Sequence, residues 1–279
     1  MAAVRKFAGV LFVALACALP LVATAVAEPL PLPIIVYHQI RADADGPPDS
    51  LETISLERFE SQMQHLHERG YTTLSGEEVV NIVHGEKPSA TKIVAIHFDD
   101  GWKSAQLALP ALDRYAFKAT FWIIAGTGIG KPHMDWVEIQ AIGRNPRYDM
   151  HSHTMTHPWT RGDRMLDWMN APSPGKDAEQ VRWELAESRQ VLAAKLSRPI
   201  PFLAWPGGRY NDAMIQIATE SGYRALFTIA DGVNPPGTSP LAINRTMIHG
   251  GCDLRTFVQI LNDGIYRECD RATVASEHQ

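Results

Sequence analysis

The sequence predicts an α/β protein built as a closed or nearly closed barrel of about seven parallel strands. Three observations predict it. Short β-branched runs alternate with amphipathic segments from Ile34 onward, the pattern of repeated βα units and a largely parallel sheet. About seven such units follow one another in one domain-sized chain, more than a small open sheet needs. Polar clusters also recur where candidate strands end, as expected of a barrel that carries its chemistry at strand C-termini.

The chain of 279 residues opens on a segment to set aside before fold reasoning. Arg5 and Lys6 precede an almost wholly apolar run, Phe7 to Ala27, which ends in Ala25-Val26-Ala27. A basic start, an apolar stretch and a small-x-small ending make residues 1–27 a signal peptide, cleaved near Ala27–Glu28. An uncleaved anchor is the alternative, because the run approaches spanning length; Pro20 and the Ala-x-Ala ending favour cleavage. The expectation is an exported chain, periplasmic or secreted, with no stable membrane span once the signal is gone. Residues 28–33 are Pro-rich and read as a short tether, and residues 34–279 as one folded domain.

The candidate strands are Ile34–Tyr37, Ile93–Phe98, Ala119–Ala125, Tyr148–His151, Ile200–Ala204, Ala225–Ile229 and Ala242–Ile248. The candidate helices are Leu56–Arg69, Gly76–His84, Ser104–Tyr115, Asp135–Gly143, Lys176–Leu196, Asp212–Ser221 and Asp253–Asn262. Ser55 is a candidate N-cap, with Phe59, Met63 and Leu66 at helical spacing behind it. In the long helix that ends at Leu196, Val181, Leu185, Val191 and Leu192 share one side, with Glu and Arg opposite. The stretch Trp159–Gly175, with Trp168 and Pro172-Ser173-Pro174, reads as a long loop, either a lid or a substrate wall.

Composition excludes several classes. With 26 Lys+Arg against 31 Asp+Glu the formal charge is −5, and loss of Arg5 and Lys6 with the signal takes it to −7. That disfavours an electrostatic grip on nucleic acid and on polyanionic substrates. Three cysteines are too few for a disulfide-built scaffold. After cleavage Cys252 and Cys269 remain, and they either pair in an oxidising compartment or stay as two thiols.

The chemistry concentrates at four strand ends. Asp99-Asp100-Gly101 closes the run Ile93–Phe98. Adjacent carboxylates there point to different sides, so one can bind a metal while the other stays free as a base. Asp-Gly is also a common turn dipeptide. His153-Thr154-Met155-Thr156-His157 sets two imidazoles at metal-ligand spacing, with His151 just before them. Three of the chain's 11 His so close together weaken the alternative of an incidental polar loop. With one Asp, the pair makes a two-His-one-carboxylate face with open positions, suited to Zn²⁺ and also to Fe²⁺, Co²⁺ or Ni²⁺. Pro206–Asn211 follows the fifth candidate strand, and Arg245 and His249 lie in or after the seventh. Trp102, Trp159 and Trp205 flank three of these clusters. Sugar faces stack on such rings, and barrel-rim packing is the alternative.

At this point the residues resemble a known family. Phe98-Asp99-Asp100-Gly101, His153-Thr154-x-x-His157 and Trp205-Pro206-Gly207-Gly208-Arg209-Tyr210-Asn211 look like the first three motifs of the polysaccharide deacetylases (NodB homology, carbohydrate esterase 4). They occur in the family's order, and the resemblance covers roughly Ile34 to Ile260. Ile34-Ile35-Val36-Tyr37-His38-Gln39-Ile40 resembles the Tyr-His start of the branch that includes biofilm poly-N-acetylglucosamine deacetylases. The resemblance implies a distorted (β/α) barrel and metal-dependent removal of acetyl groups from N-acetylated sugars. It implies Asp100, His153 and His157 as metal ligands, Asp99 as general base and the Gly207 N–H as oxyanion donor. Trp102, Trp205, Pro206 and Tyr210 become candidate substrate-binding positions.

Two departures qualify the carry-over. Ala204 stands where many members have an Arg that orients the base; Arg245 is the candidate substitute, with a surface strand-end charge as the alternative. The fourth motif is not evident. His249 is the candidate for the protonating His of the fifth, with His38 and His151 as competitors. The expected activity is N-deacetylation of a β-linked N-acetylglucosamine polymer through metal-activated water, with Zn²⁺ first among the cations. A peptidoglycan or chitin-type deacetylase or an O-acetyl esterase would use the same site. A carbohydrate-binding protein without catalysis is the alternative from another class. The expected partner is the N-acetylated polysaccharide, without nucleic acid; the oligomeric state is not legible.

Overall fold

A computed structural model describes residues 32–42 and 52–269. The signal-peptide expectation for residues 1–27, and all of the tether but Leu32 and Pro33, lie outside the described residues. In chain order the strands are β1 (Ile34–Tyr37), β2 (Gln39–Arg41), β3 (Thr53–Ser55), β4 (Thr72–Leu74), β5 (Ile93–Phe98), β6 (Ala119–Ile123), β7 (Tyr148–Ser152), β8 (Phe202–Ala204), β9 (Ala225–Phe227) and β10 (Thr246–Met247). The helices are α1 (Leu56–Glu68), α2 (Gly76–Val83), α3 (Leu109–Arg114), α4 (Trp136–Gly143), α5 (Met165–Asn170), α6 (Ala178–Leu196), α7 (Asp212–Glu220) and α8 (Leu254–Asp263).

Seven strands lie in the order β10-β1-β5-β6-β7-β8-β9, all parallel, with β4 beside the first half of β5. Helices cover the outside, and the curled sheet is a distorted (β/α) barrel. One segment serves both edges of the sheet at the seam. Ile243 bridges in parallel to Phe227 of β9, and further along Thr246–Met247 pairs with β1. The run expected as one strand, Ala242–Ile248, is therefore split between two partners. Its short regular part reflects that division rather than weak β propensity.

Alternation along the strands sorts the core into two layers. Ile35, Tyr37, Val94, Ile96, Phe98, Phe121 and Ile123 pack outward with Phe59 and Met63 of α1 and Leu185 of α6. Ile34, Ile93, Ala95, Trp122, Phe202 and Phe227 pack with one another and with Val79 and Val83 of α2. Successive residues face opposite sides of a strand, so the second set fills the barrel interior. α2 plugs it from the end where the strands begin. Its start is fixed by a capping box between Ser75 and Glu78, which satisfies otherwise orphaned N–H groups.

Several expectations need correction. Ser104–Tyr115 is not one helix: Lys103–Ala108 is a 3₁₀ turn and the α-helix begins at Leu109. Pro110 has no N–H to donate and is tolerated only in a first turn, which forces this boundary. The stretch Trp159–Gly175 is not wholly loop; it contains α5, anchored by buried Met165 and Trp168. β2 and β3 form a separate parallel pair. With β4 they escape a reading of the sequence because three residues are too few to show a period.

Candidate active site

Barrel alternation brings the polar strand ends together. Ile93 and Ala95 face the interior, His97 touches the interior rings Trp122 and Phe227, and past the strand end Asp99 continues this row. Asp100 then breaks the alternation. Its φ of 69° and the 72° of Gly101 swing the chain through the left-handed region, which a non-glycine residue adopts only when its surroundings impose it. The two carboxylates, expected on different sides, consequently line one cavity.

Asp99 is gripped from across the seam. Arg245 Nη1 and Nη2 donate to its two oxygens at 2.7 and 2.9 Å, and Arg245 Nε donates to the Thr228 carbonyl at 2.7 Å. Both residues are buried, and the guanidinium lies 5.5 Å from the Trp122 ring centroid. Burial alone would raise the Asp99 pKa; the Arg245 charge, followed by His153 and His38, outweighs it and holds the group below its usual range. Arg245 thus stands where the sequence offered it, opposite Asp99, rather than on the surface.

The imidazoles are set by the end of β7 and the turn after it. His153 Nδ1 lies 2.9 Å from the Ala204 carbonyl of β8. A carbonyl only accepts, so Nδ1 carries the proton and the Nε2 lone pair faces the cavity. Thr154 and His157 take φ of 68° and 55°, and Thr154 Oγ1 accepts the His157 N–H at 3.1 Å. Glu184 of α6 holds this strained turn from behind. Its buried carboxylate accepts the Met155 and Thr156 N–H groups at 2.9 Å each and the Thr156 hydroxyl. The helical pattern puts the glutamates of α6 on the polar side, yet Glu184 is fully buried.

Three ligand atoms then converge. His153 Nε2 and His157 Nε2 are 3.1 Å apart, and Asp100 Oδ1 lies 3.4 and 3.3 Å from them. Asp100 Oδ2 accepts the Trp102 indole N–H at 2.9 Å, while buried Oδ1 receives no hydrogen bond. A proton can serve only one pair among these three lone-pair donors, whereas a divalent cation serves all three. The donor set therefore fits a metal ion of the kind bound by imidazole and carboxylate. The electrostatics agree. Burial would raise the Asp100 pKa, but the neighbouring His153 and then His157 outweigh it and hold the group well below the usual carboxylate range. Burial, then His153, pushes His157 down to about 4, keeping its nitrogen free of a proton near neutral pH.

The cavity around this cluster holds about 540 Å³. Trp102, Trp205 and Gly207 line it as expected, and so does Trp159, which is exposed at the rim. Gly207 has φ of 56° and faces open space, with no atom within 4 Å of where a Cβ would stand. A Cβ on Gly208, by contrast, would meet Ile229 at 2.4 Å. Pro206 and Tyr210 do not line the cavity; Tyr210 stacks on Trp205 at 5.7 Å. His249 is also absent from the wall. It is buried beside the Cys252–Cys269 disulfide, with Nδ1 accepting the Gly251 N–H at 2.9 Å. His151 packs a layer below, against Phe202 and Trp122. His38 does line the cavity, and its buried Nδ1 has no hydrogen-bond partner. Sequence reasoning missed Glu52 and His133 on the wall. His133 reaches it by stacking on Trp102 at 4.2 Å, a contact no local pattern announces.

Comparisons with known proteins agree with this geometry. Residues 86–226 match the polysaccharide deacetylase family. YxkH of Bacillus subtilis (strain 168), which carries a polysaccharide deacetylase name, is 29% identical over 226 residues, 80% of this chain and 74% of its own. A poly-β-1,6-N-acetyl-D-glucosamine N-deacetylase of Escherichia coli (strain K12) is 21% identical over 257 residues, 81% of this chain but only 38% of its own. Among solved structures, the Streptococcus pyogenes deacetylase PplD in complex with acetate superposes with a TM-score of 0.72 at 25% identity, covering 84% of this chain and 99% of that one. A family match over half the chain, on a barrel whose strand ends gather these carboxylates and imidazoles, makes this protein a member of the polysaccharide deacetylase family, hydrolases that act on amide bonds.

Proposed function

We propose that this chain is an exported, metal-dependent polysaccharide N-deacetylase acting on a β-linked N-acetylglucosamine polymer. Residues 34–279 form its catalytic domain, behind a signal at 1–27 and a tether at 28–33. The observation that carries the reading is the convergence of Asp100, His153 and His157 next to the Asp99–Arg245 pair in one cavity.

Asp100, His153 and His157 would hold the cation, Zn²⁺ first for such a ligand set. When bound it lowers the pKa of water and polarises a carbonyl. The chain's own groups do the rest. Asp99 receives the proton of the water that attacks the acetamide carbon; Arg245 keeps this base ionised and aimed. The Gly207 N–H donates to the oxyanion that forms on the carbonyl oxygen. The leaving amine needs a proton. His38 lines the cavity where His249 does not, and it takes that role. Trp102 and Trp159 offer rings to the sugar faces, while Trp205, fully buried, backs the wall and stacks on Tyr210.

The substrate assignment is supported by the name of the Escherichia coli relative and by the negative formal charge, which suits an uncharged glycan better than an anionic one. Export is supported by the apolar N-terminal run and by the Cys252–Cys269 disulfide, a bond that persists in oxidising compartments. The test is acetate release from poly-β-1,6-N-acetylglucosamine, chitin oligomers, peptidoglycan and acetylxylan after reconstitution with Zn²⁺, Co²⁺ or Ni²⁺. Release is expected to be fastest from the N-acetylglucosamine polymer and abolished by Asp100→Asn or His153→Ala. Unchanged release in those variants would sink the metal assignment, and glycan binding without release by the wild type would favour a non-catalytic lectin.

A further inference from the structure

A second trough adjoins the active-site cavity. It holds about 320 Å³ and is lined by Ile229, Asp231, Met247 and Tyr266. Ile229 and Met247 also wall the catalytic cavity, so the two spaces share a partition of apolar side chains. The volume falls within the range of small-molecule sites, roughly 300–1,000 Å³.

The far wall is fixed by a close backbone crossing. Gly232 N donates to the Gly264 carbonyl at 2.8 Å, and a Cβ at Gly264 would lie 2.4 Å from the Gly232 carbonyl carbon. Only glycine, at φ of 68°, permits this approach. It sets the loop bearing Asp231 against the segment bearing Tyr266. The Cys252–Cys269 disulfide then ties that segment back to the chain before α8. The charge in the trough is negative. Arg267, the neighbouring cation, is engaged by Asp263 through bonds of 3.0 and 2.6 Å and also feels the charge of Asp231, to which it makes no hydrogen bond. Burial, then the charges of Glu268 and Asp231, raise the Tyr266 hydroxyl pKa, so the ring stays neutral.

We propose that this trough is a sugar subsite for a glucosamine unit already freed of its acetyl group, with Asp231 pairing to its ammonium and Tyr266 covering its apolar face. The inference rests on the deacetylase reading above. Hydrolysis breaks the amide C–N bond; water's hydroxyl goes to the acetyl carbon and its proton to the amine, which is protonated near neutral pH. Each turnover thus turns a neutral unit into a cation that an adjacent carboxylate can hold while the next acetamide enters the catalytic cavity. An aromatic ring beside a carboxylate recognises such an amino sugar by both its apolar face and its charge. The enzyme should therefore work next to its own product and leave blocks of glucosamine along the polymer.

The experiment compares initial acetate release from two β-linked N-acetylglucosamine tetramers, one fully acetylated and one carrying a single glucosamine next to the acetylated units. Wild type, Asp231→Asn and Tyr266→Ala are assayed with Zn²⁺ supplied. Wild type should prefer the mixed tetramer, through a lower KM, by roughly threefold to fivefold, the size of an exposed ion pair. Higher salt should erode that preference. Asp231→Asn should remove the preference and leave the rate on the fully acetylated tetramer unchanged; Tyr266→Ala should weaken binding of both. Equal rates for wild type on the two tetramers, or a preference that survives Asp231→Asn, overturns the subsite. The fully acetylated tetramer alone reports on the deacetylase reading, and no release from it by wild type removes both.

Discussion

Arg245 concentrates the residue-scale physics of this protein. It is 1% exposed, donates to both oxygens of Asp99 and to the Thr228 carbonyl, and lies over Trp122. Two charges buried together gain little over an apolar pair, but removing one leaves the other buried without the partner that offset its desolvation. Arg245→Met should therefore lower the unfolding free energy by roughly 3–5 kcal/mol, measured by urea denaturation at neutral pH. Adding Asp99→Asn should recover much of the loss, because the stranded charge is gone. A loss below about 1 kcal/mol for the single variant would mean that His153 and the cavity side already stabilise the bare Asp99 carboxylate and that Arg245 adds little to the fold. The left-handed residues Asp100, Thr154 and His157 belong to the same scale. Asp100 and His157 accept backbone strain to bring a ligand atom to one point, and Thr154 accepts it to turn the chain between the imidazoles. The strain is held by neighbours such as Glu184 rather than by local propensity.

At the scale of elements, α6 is the part that joins site to scaffold. Glu184 clamps the turn between the two imidazoles, and a turn further on Ser188 and the Leu185 carbonyl meet the Tyr223 hydroxyl at 3.1 and 3.0 Å. Tyr223 leads into β9, so this contact docks the helix onto the barrel. Burial pushes the Tyr223 pKa up to about 12, from 10.0. The folded protein thus keeps a proton that the unfolded chain releases near pH 10. The resulting stability is fully present below pH 10 and is lost as pH rises to about 12, in total about 3 kcal/mol. Tyr223→Phe removes that group. Its unfolding free energy should fall less steeply than wild type's between pH 10 and 12, followed by denaturant titrations across this range. Parallel curves for the two proteins would show that the hydroxyl titrates in the folded state as it does in water.

For the whole molecule, the critical feature is how the barrel closes. The segment 243–247 touches β9 and β1 and carries Arg245 between them. Behind it the Cys252–Cys269 disulfide fastens the last described residues, while Arg58 of α1 donates to the Gly251 and Cys252 carbonyls at 3.3 and 3.1 Å. A cross-link closing a loop of this length restricts the unfolded chain by about 3 kcal/mol. The Cys252→Ser/Cys269→Ser protein should be destabilised by about 2–4 kcal/mol and unfold at the same denaturant midpoint as wild type reduced with dithiothreitol. No difference between oxidised and reduced wild type would assign the closure to the Gly232–Gly264 crossing and the Arg58 bonds instead.

By itself, the sequence determined the parts of this protein that depend on local pattern. Alternating β-branched and amphipathic runs specified the parallel barrel. The clusters at Asp99-Asp100 and His153–His157 marked a candidate site, because they fall at strand ends and, with Trp205–Asn211, in the order of one family's motifs. Asp99-Asp100 alone reads equally as a turn. The tertiary structure alone decided what depends on contacts between distant segments. It chose Arg245 as the partner of Asp99, since β10 and β5 share only their neighbour β1. It turned both carboxylates into one cavity by a left-handed residue at Asp100, which alternation could not foresee. It buried Glu184 on a helix face that reads as polar, and it brought His133 and His38 to the wall while leaving His249 behind the disulfide. The division has one physical cause: periodicity records how each residue faces its own strand or helix, whereas electrostatic partners and cavity walls are set by how those elements close on one another.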